Sequence, residues 1–347
     1  MQLDEVPGGR LARFSLQEFT EKATEVRRYR PFDRSQLELK PLAQRTHDIN
    51  INAIMPLQPV SDLTLPARTH VEQVAQAIKR AKGQGAASVL MIGAHVIRAG
   101  VQHYLIDLMR AGFITCLAMN GAGMIHDFEL ALVGATTESV PRYIRTGEFG
   151  MWQETGQIND IINQAYADDL HSGLGTCVGR VLHEGDFAHK DISVLAEAYR
   201  LGTLVTVHVA IGCDIIHQHP NCDGAATGAL TYNDFLLFTQ ELQRLEGGVL
   251  MNFGSAVMAP EVYLKALSMV RNLAAQEGQT IGRFTNLVCD LREMPADFTR
   301  EPSKGSPAYF FRPWKTMLVR TVADGGVSYY VKGPHHQTIP ALWTALQ

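Results

Sequence analysis

Residues 112–134 read GFITCLAMNGAGMIHDFELALVG, and this stretch decides the class of fold that we predict. The apolar run at residues 113–119 is typical of a buried strand, and it ends at the Asn-Gly-Ala-Gly turn of residues 120–123. An amphipathic helix follows at once. A strand that passes through a glycine turn into a helix is a unit of α/β proteins, so we predict an α/β fold.

The glycine turn also predicts a ligand site. Small residues let a backbone loop approach a ligand closely, and the N–H groups at a helix start suit an anion such as a pyrophosphate. His126, Asp127 and Glu129 follow the turn and would lie beside that ligand. The alternative is that the glycines only form the turn, because the stretch lacks the full G-x-G-x-x-G pattern of a dinucleotide site.

Composition excludes several classes of function. The 347 residues are 46% hydrophobic and 19% charged, which is ordinary for a globular protein with a large core. The net charge of −4 gives no basic surface for nucleic acid, and no apolar run reaches the roughly 18 residues of a membrane span. The first residues lack the apolar stretch typical of a secretory signal, and the five cysteines form no C-x-x-C pair, so we expect a cytoplasmic protein with reduced thiols.

Helix and strand patterns alternate along most of the chain. Residues 1–65 are polar and end in a proline-rich segment, and we interpret them as an N-terminal helical extension. Residues 66–347 contain at least five strand–helix alternations, which indicate a single α/β domain. Near-continuous apolar strands with helices between them predict a parallel sheet with helices on both faces.

Four of the predicted strands end in turns of small or polar residues. The carboxyl ends of parallel strands meet at one edge of a sheet, where α/β proteins bind their ligands, so we predict a ligand site at that edge. The four turns are Gly93-Ala94-His95, Asn120-Gly121-Ala122-Gly123, Gly212-Cys213-Asp214 and Gly254-Ser255-Ala256.

The order of these segments resembles that of deoxyhypusine synthases. The block IGAHVIRAGVQHYLIDLMRAGFITCLAMNGAGMIHDFE, residues 92–129, is similar to the first half of the NAD site in that family. Three later blocks match in order, and the resemblance covers roughly residues 70–345. They are RLGTLVTVHVAIGCD at 200–214, GGVLMNFGSAVMAPEVYLKALSMVRN at 247–272 and SPAYFFRPWKTMLVRTV at 306–322.

The resemblance implies a Rossmann-like NAD-binding fold and a homotetramer with shared sites. It also implies a transferase reaction, in which NAD oxidises an amine carbon of a polyamine and an enzyme lysine passes the aminobutyl unit to an acceptor amine. Lys315 matches that lysine, with Phe311 and Trp314 among its apolar neighbours. A lysine that forms an imine must be neutral to attack, and desolvation favours that state.

The same resemblance implies roles for further residues. His126 and Asp127 follow the glycine turn, where the family has acidic residues, and together with the lysine they are the candidate catalytic residues. His219, Tyr309 and Trp314 are the candidate contacts to a small-molecule amine substrate. The candidate NAD contacts are Gly93, Ala94, His95, Gly121, Ala122, Gly123, Asp214, Gly254, Thr285 and Asn286.

The chain departs from the family where carboxylates surround the polyamine. His126 and His219 fall at or near acidic positions of the family, and Pro260 replaces a family histidine. A pocket lined by histidines would bind a dication weakly and could prefer an anionic or amphoteric substrate. Two alternatives therefore stay open: an NAD-using dehydrogenase or lyase that acts on an amino acid or other small molecule, and a ligand-binding protein without catalysis.

Residues 208–223 raise the question of a metal site. They include His208, Cys213, His217, His219 and Cys222, residue types that can bind zinc. His217 and His219 are two residues apart, however, and no standard spacing of zinc ligands is present. We interpret these side chains as polar loop residues at a strand end and predict no metal.

Overall fold

A parallel sheet lies at the centre of the protein. The computed structural model describes residues 30–60 and 63–347. The strands of these residues are β1 (Ile49–Asn50), β2 (Ser88–Ile92), β3 (Cys116–Asn120), β4 (Ala135–Thr136), β5 (Leu204–His208), β6 (Val249–Phe253), β7 (Thr285–Asp290) and β8 (Val327–Lys332). Within the described residues, six of them form one sheet in the order β5-β3-β2-β6-β7-β8, and every neighbouring pair is parallel.

The order of the six strands identifies the fold. If these six strands are renumbered 1 to 6 in their order along the chain, their order across the sheet is 3-2-1-4-5-6. This is the order of the doubly wound Rossmann fold. The chain moves outward from β2 to β5, then returns to β6 beside β2 and moves outward again to β8. Such sheets bind ligands at the carboxyl ends of the two strands where the order reverses, here β2 and β6. The predicted Rossmann-like α/β fold is confirmed.

Both faces of the sheet are covered, as its apolar strands predict. All five residues of β2 are buried. Leu90 and Ile92 belong to one apolar cluster, whereas Val89 and Met91 belong to a second. Because successive side chains of a strand point to opposite faces, the two clusters lie on the two sides of the sheet.

Helices fill the connections between the strands. They are α1 (Leu65–Gln84), α2 (Ala94–Arg98), α3 (Gln102–Arg110), α4 (Gly121–Val133), α5 (Val140–Tyr143), α6 (Gln157–Asp168), α7 (Leu174–Glu184), α8 (Val194–Leu201), α9 (Gly224–Leu242), α10 (Met258–Gln276) and α11 (His335–Leu346), with a π-helix at Pro313–Val319. Strand β8 lies outside the predicted strands. It is an edge strand in which only Tyr330 and Val331 are buried, so it lacks the continuous apolar run that marks the others.

Part of the predicted N-terminal extension belongs to the α/β unit. Residues Glu38–Gln347 form one compact unit, and the described residues before Glu38 belong to another. Strand β1 pairs antiparallel with β4, with Ile49 opposite Thr136. Residues 1–29 of the predicted helical extension lie outside the described residues. Among the described helices, none combines the length and the hydropathy that a membrane crossing requires.

Candidate functional site

Two glycine turns meet where the strand order reverses. Gly93 follows β2 and Gly254 follows β6. A side chain on Gly93 would collide with the carbonyl oxygen of Gly254, so only glycine fits there. Gly254 has a φ of 69°, and a side chain on it would collide with the His335 ring. No side chain of the described residues caps the start of α2, and the Gly93 N–H donates to the Phe253 carbonyl oxygen at 2.9 Å.

Protein groups occupy the second glycine turn. The Asn120 side chain accepts a hydrogen bond from the Gly123 N–H at 3.1 Å. The Asp214 carboxylate accepts one from the Ala122 N–H and lies where a side chain on Gly121 would project. The N–H groups of Ala122 and Gly123, which we predicted to face a cofactor anion, therefore bind protein side chains instead. The turn brings an acidic side chain to the start of α4, where the helix dipole favours it.

A cavity of about 260 Å³ opens beside this turn. Its wall combines α2, α4 and α5 with residues before β1, after β4 and after β5. The cavity therefore forms only when these separate parts of the chain fold together. The lining residues are Arg45, Arg98, Ala122, Ile125, His126, Glu129, Thr137, Glu138, Val140, Phe149, Cys213, Asp214 and Ile215.

Helix α4 separates the two adjacent candidates His126 and Asp127. His126 and Glu129, three residues apart, share the face that lines the cavity. Asp127 points to the other side, where it accepts hydrogen bonds from Ser193 Oγ (2.6 Å) and the Val194 N–H (2.9 Å). Asp127 therefore anchors the start of α8 and lies outside the cavity wall.

A buried network fixes Glu129. Arg45 donates from both terminal nitrogens to the two carboxylate oxygens, at 2.8 and 2.7 Å. Thr155 and Thr136 each donate a hydroxyl, at 2.6 and 2.7 Å. Burial alone would raise the pKa of Glu129, but Arg45 and the two threonines outweigh it and hold this pKa below its usual value. Arg45 and Glu129 therefore neutralise each other.

His126 presents a neutral ring to the cavity. Its Nδ1 lies 2.8 Å from Thr136 Oγ1, which leaves Nε2 as the ring nitrogen without that partner. Burial, reinforced by the nearby Arg98 and Arg45 cations, lowers the pKa of His126 to about 4, although Glu129 acts in the opposite direction. The imidazole is therefore neutral at pH 7 and can accept a proton.

Arg98 brings an unpaired cationic donor to the same wall. Its Nη1 lies 3.2 Å from His95 Nε2. Its Nε is buried and has no hydrogen-bond partner among the described residues. A buried donor without an acceptor costs free energy, and a carboxylate matches the geometry of a guanidinium. Arg98 is therefore a candidate contact for an anionic group of a ligand.

Two carboxylates complete the charges of the cavity. Burial raises the pKa of Asp214 to about 6, against the effect of one backbone hydrogen bond. Glu138 accepts hydrogen bonds from the Gly150 N–H (3.0 Å) and from Trp152 Nε1 (2.9 Å), and burial raises its pKa. The cavity thus offers one cation, Arg98, and two acidic groups to a ligand.

Thr137 is strained at the cavity wall. Its φ is 68°, the one positive φ outside glycine among the described residues. Such a φ is unusual for a β-branched residue and costs roughly 1–3 kcal/mol. Its Oγ1 is buried and unpaired within the described part of the chain. Strain and an unpaired hydroxyl together make the turn after β4 a candidate part of a functional site.

Lys315 and its aromatic neighbours lie away from this cavity. Lys315 is in the π-helix, and its Nζ lies 3.9 Å from the centroid of the Tyr309 ring. Trp314 donates from Nε1 to the Phe298 carbonyl oxygen at 3.0 Å. None of these three candidates lines the cavity, so within one chain the structure does not bring the lysine to His126.

Two candidate NAD contacts lie at the amino edge of the sheet. Thr285 and Asn286 begin β7, a strand of six residues at about 3.3 Å each. Asn286 is buried and donates to the Met317 carbonyl oxygen at 2.7 Å. The length of the strand therefore separates both residues from the turns at Gly93 and Gly254, and Asn286 anchors the π-helix.

His219 joins two loops instead of lining the cavity. It is fully buried, and its Nε2 lies 2.6 Å from the Gly150 carbonyl oxygen. It supports the backbone that donates to Glu138. In the described part of the chain, no group of three or more His, Cys, Asp or Glu side chains could hold a metal ion.

Four charged or strained residues of the cavity lie outside the candidates chosen from the sequence. Arg45, Thr137 and Glu138 stand in stretches without a recognisable period or motif. Arg98 lies about one turn of helix after the predicted Gly93-Ala94-His95 turn. This spacing could have identified Arg98 as a residue near the site.

The fold and the cavity together define a class of protein: a Rossmann-type α/β protein with a cavity lined by charged residues at the carboxyl edge of its sheet. A family model described as arginine dihydrolase ArgZ-like, C-terminal, Rossmann fold matches residues 72–174. No curated protein matches the sequence.

Several solved structures are similar to this chain at low identity. Apo ArgZ, an arginine dihydrolase from the ornithine-ammonia cycle in cyanobacteria, is 16% identical over 83% of this chain and 32% of its own, with a TM-score of 0.49. AgrE in complex with ornithine and NAD+ is 17% identical over 82% of this chain and 34% of its own, with a TM-score of 0.47. This chain therefore spans about a third of the length of those proteins.

A deoxyhypusine synthase stands further away. The putative enzyme from Entamoeba histolytica is 7% identical over 80% of this chain and 87% of its own, with a TM-score of 0.38. The Rossmann-like fold that the resemblance implies is shown by the strand order. The aminobutyl transfer of the family gains no support from these comparisons.

Proposed function

We propose that this chain is an NAD-dependent enzyme that acts on a small amino acid. The observation that carries the proposal is the Arg98 guanidinium, whose Nε has no hydrogen-bond partner among the described residues, in one cavity with the Asp214 and Glu138 side chains. Such a set suits a molecule that has both a carboxylate and an ammonium group. A polyamine has no carboxylate, and it would leave Arg98 unpaired beside further positive charge.

The reversal point of the sheet is where NAD fits. Rossmann sheets of this strand order bind dinucleotides across that crevice. The glycines at 93 and 254 allow the close approach of two turns that such a crevice requires. The contact between Arg98 and His95 joins the first of these turns to the cavity. When bound, NAD would supply the acceptor for a hydride from the substrate, as a Rossmann-fold cofactor does.

The charges favour an amino acid with a second amino group. Arg45 and Glu129 neutralise each other, so Arg98 remains with two acidic groups. A diamino acid carries one carboxylate and two ammonium groups, which complement this set. The cavity of about 260 Å³ lies below the roughly 300–1,000 Å³ of drug-sized pockets, as a small substrate requires. Ornithine, the ligand in the AgrE complex, is therefore the first compound to test.

His126 would receive the proton in this reaction. Oxidation of an amine carbon removes a hydride and, from the ammonium group, a proton. The hydride goes to the cofactor, and the neutral His126 ring can take the proton on Nε2. Transfer of an aminobutyl unit through Lys315 is not part of the proposal, because Lys315 stacks on Tyr309 away from the cavity. The homotetramer implied by the resemblance stays a prediction that light scattering measures.

Substitution of Arg98 tests the proposal. We expect Arg98→Gln to weaken ornithine binding about 100-fold, roughly 3 kcal/mol, because the variant loses a charged bidentate partner for the carboxylate. NAD binding should change little, since Arg98 lies on the cavity side of the turn. The measurement is calorimetric titration of NAD, and then of ornithine onto the NAD-saturated protein.

Arg110→Gln is the matched control. Arg110 is also at the end of a helix, but it is exposed and pairs with Glu197 at the surface, so its removal should leave both affinities unchanged. Absence of NAD binding by the wild type at millimolar concentration would contradict the cofactor. Ornithine, lysine and alanine binding equally well to wild type and Arg98→Gln would contradict the substrate class.

A further inference from the structure

The hydrogen bonds around Glu129 determine where one proton lies. Glu129 is ionised, because Arg45 and the two threonines hold its pKa below the usual value. An ionised carboxylate only accepts hydrogen bonds. The Thr136 hydroxyl lies 2.7 Å from Glu129 Oε2, so it donates its single proton to that oxygen.

That assignment fixes the tautomer of His126. Thr136 Oγ1 has given its proton to Glu129 and can act only as an acceptor toward His126 Nδ1, 2.8 Å away. The neutral His126 ring must therefore carry its proton on Nδ1. Its Nε2 then has a free lone pair, and no hydrogen bond to Nε2 occurs among the described residues.

We propose that Thr136 is a positioning residue, which holds the Nδ1–H tautomer of His126 so that Nε2 is a proton acceptor at the cavity. The inference rests on the proposed function for the identity of the proton donor, a substrate ammonium group. In the step, the ammonium loses one proton and becomes a neutral amine, while His126 gains that proton on Nε2 and becomes an imidazolium. No electrons move between the protein and the substrate.

The surroundings of His126 are arranged for this role. Glu129 on the same helix attracts the imidazolium through Thr136, while Arg98 and His95 from α2 and Arg45 from the segment before β1 oppose its positive charge. A substrate carboxylate bound to Arg98 would remove part of that opposition, so the ring becomes a better base when substrate is present. Thr137, directly after Thr136, has a positive φ of 68°.

Thr136→Val is the variant that tests whether Thr136 holds the tautomer of His126. Valine keeps the shape of threonine but cannot accept from His126 Nδ1. Thr155→Val is the matched control, because Thr155 donates to the same carboxylate at 2.6 Å without contacting His126. Thr136→Ser restores the hydroxyl. The readout is the nitrogen-15 spectrum of the histidine side chains, in which His126→Gln identifies the signal of His126.

We expect wild type, Thr136→Ser and Thr155→Val to show the Nδ1–H tautomer at pH 7, and Thr136→Val to shift His126 toward the Nε2–H tautomer. If the amino-acid reaction is found, Thr136→Val should also lower kcat/KM about 10- to 100-fold. Thr136→Ser should recover most of the activity.

Two results would overturn the inference. One is an Nε2–H or protonated His126 in the wild type at pH 7, a result that does not depend on the folding of any Thr136 variant. The other is the same tautomer shift in Thr155→Val as in Thr136→Val. That result would show that the tautomer depends on the hydrogen bonds to Glu129 and not on the contact between Thr136 and His126. The spectrum does not depend on turnover. A wrong assignment of the role of Thr136 can therefore be distinguished from a wrong assignment of the function.

Discussion

Asp214 combines a structural contact with a place in the cavity. Its carboxylate accepts the Ala122 N–H at the start of α4 and fills the space above Gly121. Burial raises its pKa to about 6, so this carboxylate changes charge close to physiological pH. A substrate held by an ammonium group would therefore bind in a way that depends on pH.

We predict that ornithine binding weakens as the pH falls through 6. Protonation of Asp214, whose pKa is about 6, removes the negative charge that attracts the ammonium group, so the affinity at pH 5.5 should be roughly fourfold lower than at pH 7.5. His126, with a pKa of about 4, does not titrate between pH 5.5 and 7.5. Calorimetric titration across that range measures the effect.

The Asp214→Asn variant distinguishes the effect of Asp214 on the pH dependence from that of Glu138, whose pKa is also raised. The amide keeps an acceptor for the backbone of α4, so the fold should be retained. Its ornithine affinity should be lower than that of wild type at pH 7.5 and nearly constant with pH. A wild-type profile that is flat from pH 5.5 to 7.5 would contradict the assignment of Asp214 to the ammonium group.

At this scale the sequence predicts residue types better than their roles. His126 and Asp127 are adjacent and both polar, yet one lines the cavity and the other caps α8. The difference depends on which face of α4 packs against α8, and that packing involves residues far away in the chain. Thr136, which contacts His126, belongs to a strand of two residues without a pattern of its own.

The turn between β2 and α2 is the element on which the cofactor site depends. Gly93 has an ordinary negative φ of −84°, so its backbone conformation alone would admit other residues. What excludes them is the Gly254 carbonyl oxygen from the neighbouring turn. The glycine is therefore required by the approach of two elements and not by the shape of one.

We predict that Gly93→Ala weakens NAD binding at least about tenfold, or 1.4 kcal/mol, because the added methyl group forces the two turns apart. The control is Gly228→Ala within α9, where a side chain would meet nothing within 4 Å. That change should leave NAD binding intact and raise the free energy of unfolding by about 0.5–1 kcal/mol.

Calorimetry and urea unfolding of both variants check this prediction. Equal NAD affinity for Gly93→Ala and wild type would contradict a cofactor at the reversal point. A fall in stability without a fall in affinity would show that the close approach serves only the fold.

Most strands and helices could be predicted because each carries its own signal. The buried strands appear as apolar runs, and the larger helices as periodic segments that end at glycines. The short strands β1 and β4 and the edge strand β8 have no such signal, because they are specified by pairing with distant residues. Four predicted strand ends lie at one edge, yet the second glycine turn is occupied by Asn120 and Asp214.

At the scale of the whole molecule, the strand order creates the site. Reversal at β2 and β6 leaves a crevice at their carboxyl ends, and the outward step to β3 and β5 places α4 and the Asp214 loop beside it. The segment before β1 then adds Arg45 from outside the sheet. The cavity could not be predicted from the sequence, because its side chains come from six separate parts of the chain.

The measurement that tests the central claim most directly is a crystal structure of this protein with NAD and ornithine bound. The account predicts NAD across the turns at Gly93 and Gly254, and ornithine in the cavity with its carboxylate on Arg98 and an ammonium group at Asp214. It also predicts His126 Nε2 within hydrogen-bonding distance of the substrate amine. NAD bound away from the reversal point, or ornithine bound without contact to Arg98, would contradict the account.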